Sequence, residues 1–178
     1  MAKENEWKSF FMIFLWLAYA GIFLIGCSND SLKKAPPLSK PIIWLNNPDN
    51  IQNITFSNQV LLLEFLTNDC EGCIQLLSSL SKVKNDYGKS IDIVGIYTPN
   101  PNSPLGQLDA SYYVKSIGIS YPVVYDKEAK LFNAYQIIGW PTLILINKKG
   151  DIQETIYGIH SADYLSQVIQ KLIKGELE

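Results

Sequence analysis

Apolar positions along the chain change period several times, and each change marks an element. Residues 10–26 (FFMIFLWLAYAGIFLIG) carry no charge, whereas 28–40 (SNDSLKKAPPLSK) are polar, with two adjacent prolines and three lysines. After a short entry strand, residues 59–66 (QVLLLEFL) form a nearly continuous apolar run, the pattern of a strand buried on both faces. Beyond Cys70 the period becomes helical: Cys73, Leu76, Leu77, Leu80 and Val83 recur on one face, and Gly88 supplies a stop. Residues 90–97 (SIDIVGIY) predict a second strand, 105–116 a helix, 121–125 (YPVVY) a third strand and 127–137 a short helix. Two further strands, 142–146 and 152–157, flank the turn Asn147-Lys148-Lys149-Gly150-Asp151, where glycine suits a left-handed position. The last segment sets Tyr164, Leu165, Val168, Ile169, Leu172 and Ile173 on one face, with Ser161 as N-cap and Lys171 and Lys174 at the C-terminus. Strands alternating with helices predict one α/β domain: a central mixed, mostly parallel sheet covered on both faces and closed by an antiparallel hairpin.

Composition narrows the chemistry. The 178 residues are 47% hydrophobic and 18% charged, with net charge −2, which excludes a basic nucleic-acid footprint. All fifteen basic residues are lysine, so no bidentate guanidinium clamp is available. A single histidine, His160, excludes multi-histidine metal sites; it precedes the last helix and reads as a surface turn residue. The three cysteines, Cys27, Cys70 and Cys73, carry most of the remaining information.

The apolar run ends in Leu24-Ile25-Gly26-Cys27, which resembles the lipobox of bacterial lipoproteins. That resemblance implies a signal peptide over 1–26, lipidation of Cys27, and a tether over 27–40 ahead of a domain over 41–178. An uncleaved membrane anchor is the other reading, since seventeen apolar residues sit at the lower limit for spanning a bilayer. Either one holds the domain at a membrane on its non-cytoplasmic side.

Cys70-Glu71-Gly72-Cys73 falls where a strand gives way to a helix. Two intervening residues let both thiols face each other across the first turn. The unpaired amides and the dipole there favour a thiolate at Cys70. An attacking Cys70 and a resolving Cys73 would then carry out disulfide exchange. Zinc is excluded by ligand count, because a lipidated Cys27 leaves Cys70, Cys73 and His160, one short of a closed tetrahedral site. An inert structural disulfide remains open.

Gly139-Trp140-Pro141-Thr142, followed by LILI and a K-K-G turn, completes a pattern that resembles the thioredoxin superfamily. The details are closest to its membrane-associated TlpA/ResA-like branch, and Trp44-Leu45-Asn46 is similar to the entry of the DipZ-type domains. The resemblance implies a thioredoxin-like fold, with a cis bond before Pro141 packed against the cysteine pair. It further implies that the backbone at Trp140 and Pro141 receives the substrate chain as an added strand. Departures are Asp69 in place of an aromatic, Glu71-Gly72 without a proline, and the bulky Trp140. Trp140 either narrows the range of partners or packs on the sheet edge. Glu64 lies in the buried run LLLEFL, where a carboxylate is costly. It matches the buried acid that passes protons to and from the resolving cysteine; the alternative is that it faces out at an edge.

These features point to a membrane-tethered extracytoplasmic thiol–disulfide oxidoreductase of the bacterial cell envelope, facing the periplasm or exterior, that reduces protein disulfides. A membrane protein as electron donor is implied by the resemblance, and no cofactor is expected. Thr67-Asn68-Asp69-Cys70 imitates the T-x-x-C of peroxiredoxin-like peroxidases, but position 63 is leucine where their pattern has proline, and the chain has no arginine. A copper-delivery protein of this fold would use C-x-x-x-C plus a histidine. A redox-inactive binding module would not need both cysteines.

Overall fold

The computed structural model describes residues 33–38, 43–48, 54, 59–104 and 109–175. Cys27 and the expected signal peptide or anchor lie outside these residues. Leu32–Glu178 forms one compact unit. Its strands are β1 (Trp44–Asn46), β2 (Val60–Leu66), β3 (Ile91–Tyr97), β4 (Val123–Tyr125), β5 (Thr142–Ile146) and β6 (Ile152–Tyr157). Its helices are α1 (Glu71–Tyr87), α2 (Ala110–Ser116), α3 (Lys130–Ala134) and α4 (Ala162–Lys174).

The strands form one sheet in the order β1-β4-β3-β2-β5-β6. β2 sits between β3 and β5 and is buried at every position, which is why its sequence is apolar on both faces. The sheet is mixed, but the expectation that it is mostly parallel needs correcting. Only β2–β3 and β3–β4 are parallel, whereas β1–β4, β2–β5 and β5–β6 are antiparallel. The reason lies in α3. It is the short helix in a connection from Asp126 to Pro141 that folds back on itself instead of crossing the length of the sheet. β4 stops level with Leu66, and β5 starts opposite Phe65 at that same end, so it runs the other way.

Two cores result. One, between the sheet and α1, α2 and α4, contains Leu62, Leu66, Cys70, Cys73, Leu76, Tyr97, Tyr113, Tyr121, Leu143 and Leu165. The other, under α3, contains Leu61, Leu63, Phe65, Ile144, Ile146, Leu131 and Tyr135. β2 alternates between them with period two.

Local chemistry sets the boundaries. α1 buries Cys73, Leu76, Leu80 and Val83 and stops at Gly88, whose φ of 50° suits glycine. Asp109 caps α2 at Tyr112 N (2.8 Å), so the described part of that helix begins at Ala110; residues 105–108 lie outside the described set. α3 is shorter than the predicted 127–137, because Asp126 draws the amides of Leu131 (3.1 Å) and Phe132 (2.9 Å) onto its carboxylate and Ala129 turns at φ 55°. The third strand is likewise shorter, leaving Tyr121 in the approach to β4.

Residues 33–38, within the stretch read as a tether, are bonded to the domain. Lys34 bridges to Asp151 in the backbone and pairs with its carboxylate at 2.7 Å. Tyr135 Oη donates to Pro36 O (2.7 Å), and Leu38 is buried in the second core.

Candidate active site

β2 delivers the chain into a short loop that is tied down before the first cysteine. Asn68 is fully buried. Its Oδ1 accepts from Asn100 N (2.8 Å) and Tyr97 Oη (3.2 Å), and its Nδ2 donates to Asn100 O (3.4 Å). Tyr113 Oη donates to Thr67 O (3.3 Å). Asp69 is exposed, takes a left-handed φ of 61°, and accepts from Ser103 Oγ (3.3 Å). Aspartate is among the few non-glycine residues that tolerate this conformation.

Cys70 is the N-cap of α1, and its Sγ accepts from Cys73 N (3.1 Å). The two cysteines form a disulfide with a Cα–Cα distance of 5.3 Å. Cys73 is completely buried, while Cys70 retains 9% exposure, less than the sequence implied but in the expected order. The cap geometry aims a backbone amide at Cys70 Sγ, where it would meet a thiolate on reduction.

The Trp140–Pro141 bond is cis. A β-carbon on Gly72 would lie 3.1 Å from Pro141 Cδ and 3.4 Å from Ile159 Cγ1, so the proline sits directly against the cysteine turn and a larger residue there would crowd it. Pro141 O accepts from Gly158 N (2.9 Å), extending the β5–β6 ladder to this point. The Trp140 side chain packs against both cores and meets the Phe132 ring of α3 at a tilt, with centroids 4.9 Å apart. Its Nε1 is buried without a hydrogen-bond partner among the described residues. Ile138 and Ile159, on either side of the proline, are 82% and 52% exposed.

Glu64 does not face out at an edge. It is fully buried at the centre of the sheet, paired with Gly95 of β3 and Leu143 of β5, on the face of β2 that carries Leu62 and Leu66. Cys73 packs into the core on that face. Tyr121 Oη donates to Glu64 Oε2, and Oε1 has no partner among the described residues. Burial pushes the carboxyl up to about 7, opposed by the Tyr121 hydrogen bond. Burial and the neighbouring Glu64 charge hold Tyr121 well above its ordinary value.

Cys70, Cys73 and Pro141 therefore meet at one place, Trp140 is bonded to that proline, and Glu64 lies on the β2 face turned toward the core that holds Cys73. His160 is a turn residue, its Nε2 3.0 Å from Tyr157 O and its ring stacked on Tyr164. Sequence reasoning missed Asn68, Gly95 and Tyr121. A lone glycine inside an apolar strand was the signal for Gly95, since it marks a close approach. Among the described residues, no helix is long and apolar enough to cross a membrane, and no group of three or more His, Cys, Asp or Glu could hold a metal.

NHL repeat-containing protein 2 of Gallus gallus is 29% identical over 128 residues, 69% of this chain and 17% of that protein, so the chain spans less than a fifth of this relative. The thiol-disulfide oxidoreductase ResA of Halalkalibacterium halodurans is 29% identical over 120 residues, 65% of this chain and 63% of its own. The crystal structure of the thioredoxin-like superfamily protein SPOA0173 superposes with a TM-score of 0.65 at 23% identity, covering 79% of this chain and 96% of that one. The fold is thioredoxin-like. The AhpC/TSA family model matches residues 20–155, more than half of the sequence, and the chain belongs to that family.

Proposed function

We propose that the chain is a thiol–disulfide oxidoreductase that reduces disulfides in proteins. The observation that carries this reading is the Cys70–Cys73 disulfide at the start of α1, packed through Gly72 against the cis Trp140–Pro141 bond. In the reduced state, the Cys70 thiolate attacks a substrate disulfide and expels one substrate thiolate. Cys73 gives its proton to the Glu64 carboxylate, attacks Cys70 Sγ, and expels the second. The two cysteines supply two electrons, and the two departing thiolates take up the two protons, one by way of Glu64. The backbone beside Trp140 and Pro141 receives the substrate chain as an added strand. Trp140 acts at one remove, since its side chain is committed to Phe132.

The domain works outside the cytoplasm of a bacterial cell, held to a membrane through a lipidated Cys27, and a membrane protein returns its electrons. The supports are the sequence of residues 10–27 and the likeness to ResA. Mass spectrometry of detergent-extracted protein tests the anchor. An intact Met1 with an unmodified Cys27 thiol would remove it.

The direction of electron flow follows from charge. Asp69 and Glu71 flank Cys70 on the surface, Glu64 lies beneath, and no lysine occurs between Lys40 and Lys82. Negative neighbours disfavour a thiolate, so the disulfide form is relatively favoured and the dithiol donates readily. Equilibration against glutathione at pH 7, read by alkylation, is expected to give a potential on the order of −270 mV. A value near about −120 mV would make the protein a disulfide donor instead.

A further inference from the structure

Glu64 is paired in register with Gly95, the one residue of β3 without a side chain. Gly95 N donates to Pro122 O (2.8 Å), which brings the residue before it, Tyr121, across the glycine. A β-carbon on Gly95 would stand 3.1 Å from Val123 Cγ2, 3.3 Å from Leu66 Cδ2 and 3.5 Å from Tyr121 Cε2. Val123, Leu66 and the Tyr121 ring together close over the space above the glycine, and the Tyr121 hydroxyl reaches Glu64 Oε2 on the next strand. Three neighbouring segments of the sheet cooperate to satisfy one carboxyl oxygen. The other, Oε1, is buried with no hydrogen-bond partner among the described residues, on the side of the core that also holds Cys73.

We propose that Tyr121 is a positioning residue: by holding Glu64 Oε2, it fixes the carboxyl so that Oε1 is the oxygen that exchanges a proton with Cys73. The inference rests on the oxidoreductase reading above. Buried polar atoms are normally paired, and an oxygen left bare beside one tightly held is an arrangement with a use. The proton balance is that of the resolving step: the Cys73 S–H bond breaks, an O–H bond forms at Oε1, and Cys73 sulfur attacks Cys70. A hydrogen bond to the charged form of an acid favours that form. Tyr121 therefore also keeps more of the carboxyl available as a base near neutral pH.

The groups that share this core with Glu64 are few. α1 brings Cys73 and Cys70, α2 brings Tyr113 with its hydroxyl on Thr67 O, and β3 brings Tyr97 with its hydroxyl on Asn68. β5 opposes Glu64 with Leu143, and α4 contributes Leu165 and Ile169. No lysine or histidine is buried among the described residues. Burial raises the Tyr113 hydroxyl, and the charges of Asp69 and Glu64 add to that rise.

The test mixes reduced protein with a chromogenic aryl disulfide across a pH series. Attack by Cys70 is bimolecular, with a rate proportional to reagent concentration, and resolution by Cys73 is the following first-order phase, independent of it. In wild type, the first-order rate should rise through neutral pH. Tyr121→Phe, which removes only the hydroxyl, should move that midpoint upward by about one pH unit, the size of one hydrogen bond to a charged group. Glu64→Gln should abolish the rise, and adding Tyr121→Phe to it should change nothing further. An unchanged midpoint in Tyr121→Phe overturns the proposal, as does a Tyr121→Phe effect that persists without Glu64. Absence of any first-order phase in wild type overturns the oxidoreductase reading itself, and the inference with it. Should Tyr121→Phe not fold, infrared spectroscopy of the wild type decides. The protonated Glu64 carbonyl stretch, identified by its loss in Glu64→Gln, should lie at a hydrogen-bonded frequency; a free-carbonyl frequency overturns the proposal.

Discussion

The two faces of β2 are built from one seven-residue strand, yet they differ in kind. Leu61, Leu63 and Phe65 enter a core made with Ile144, Ile146, Leu131 and Tyr135, in which Phe65 packs on the Tyr135 ring at 5.4 Å. Leu62, Glu64 and Leu66 face the other way, into a core that also holds the disulfide and the buried tyrosines 97, 113 and 121. The first face is apolar packing throughout, while the second interrupts good packing with a carboxyl that burial penalises. A single position in a strand thus separates a stabilising surface from a working one. The expected consequence is that substitutions on the first face change stability without chemistry, whereas those at the cysteines and Glu64 on the second change the chemistry.

The largest effect should come from the cysteines of the working face. Cys70→Ser is expected to abolish reduction of protein disulfides, and Cys73→Ser to leave mixed disulfides unresolved on Cys70, both in stably folded protein. Trapping with Cys73→Ser, followed by mass spectrometry, identifies the partners. Preferential alkylation of Cys73 in the reduced wild type would reverse the two roles.

On the apolar face, Phe65→Ala should cost about 3–5 kcal/mol, because the ring is completely enclosed and its removal leaves a cavity. Denaturant unfolding measures the loss. The resolving rate per folded molecule should stay within about twofold of wild type. A large kinetic change would show that the two faces are not separable.

The third effect is a pH dependence confined to the working face. Burial pushes the Glu64 carboxyl from its ordinary 4.5 up to about 7, so between these values the folded state binds more protons than the unfolded one. Stability then falls as pH rises, by about 3 kcal/mol in total across that window, and levels off above it. Below pH 4.5 both states are protonated and the penalty vanishes. Unfolding of the oxidised protein at several pH values should show this slope, and its difference from Glu64→Gln isolates the residue from other titrating groups.

The working face was legible in the sequence where its signals are local. The C-x-x-C spacing, the proline after Trp140 and a charge inside LLLEFL each stand out within a few residues, and the first two meet in space. Tyr121 and Asn68 were not legible, because their partners lie 57 and 32 residues away and nothing near them in sequence marks the contact. Tyr121 read as a strand residue; its hydroxyl bond to Glu64 replaces a role in the ladder. Strand order and direction show the same limit. Alternating elements predict a sheet, but the direction of β5 depends on whether the connection through α3 crosses the sheet or folds back. Residues 33–38 read as a solvated tether on composition, although Asp151, Gly150 and Tyr135 wait to receive them.

The smallest expected effect sharpens the comparison at its rim, where charge acts without packing. Asp69 is exposed, left-handed, and next to Cys70 in sequence. Replacing it with asparagine keeps a side chain that tolerates positive φ and an oxygen able to accept from Ser103 Oγ, so stability should change by no more than about 0.5 kcal/mol. What changes is one negative charge beside the thiolate. Its loss favours the reduced state, so the potential should move toward the oxidising end. The charge is solvated and screened, which limits its interaction to a few tenths of a kcal/mol and the shift to on the order of 10 mV. Glutathione equilibration of the two proteins side by side, at low and at high salt, measures both sign and screening. A shift toward the reducing end, or one that grows with salt, would contradict the electrostatic account of why this site donates electrons.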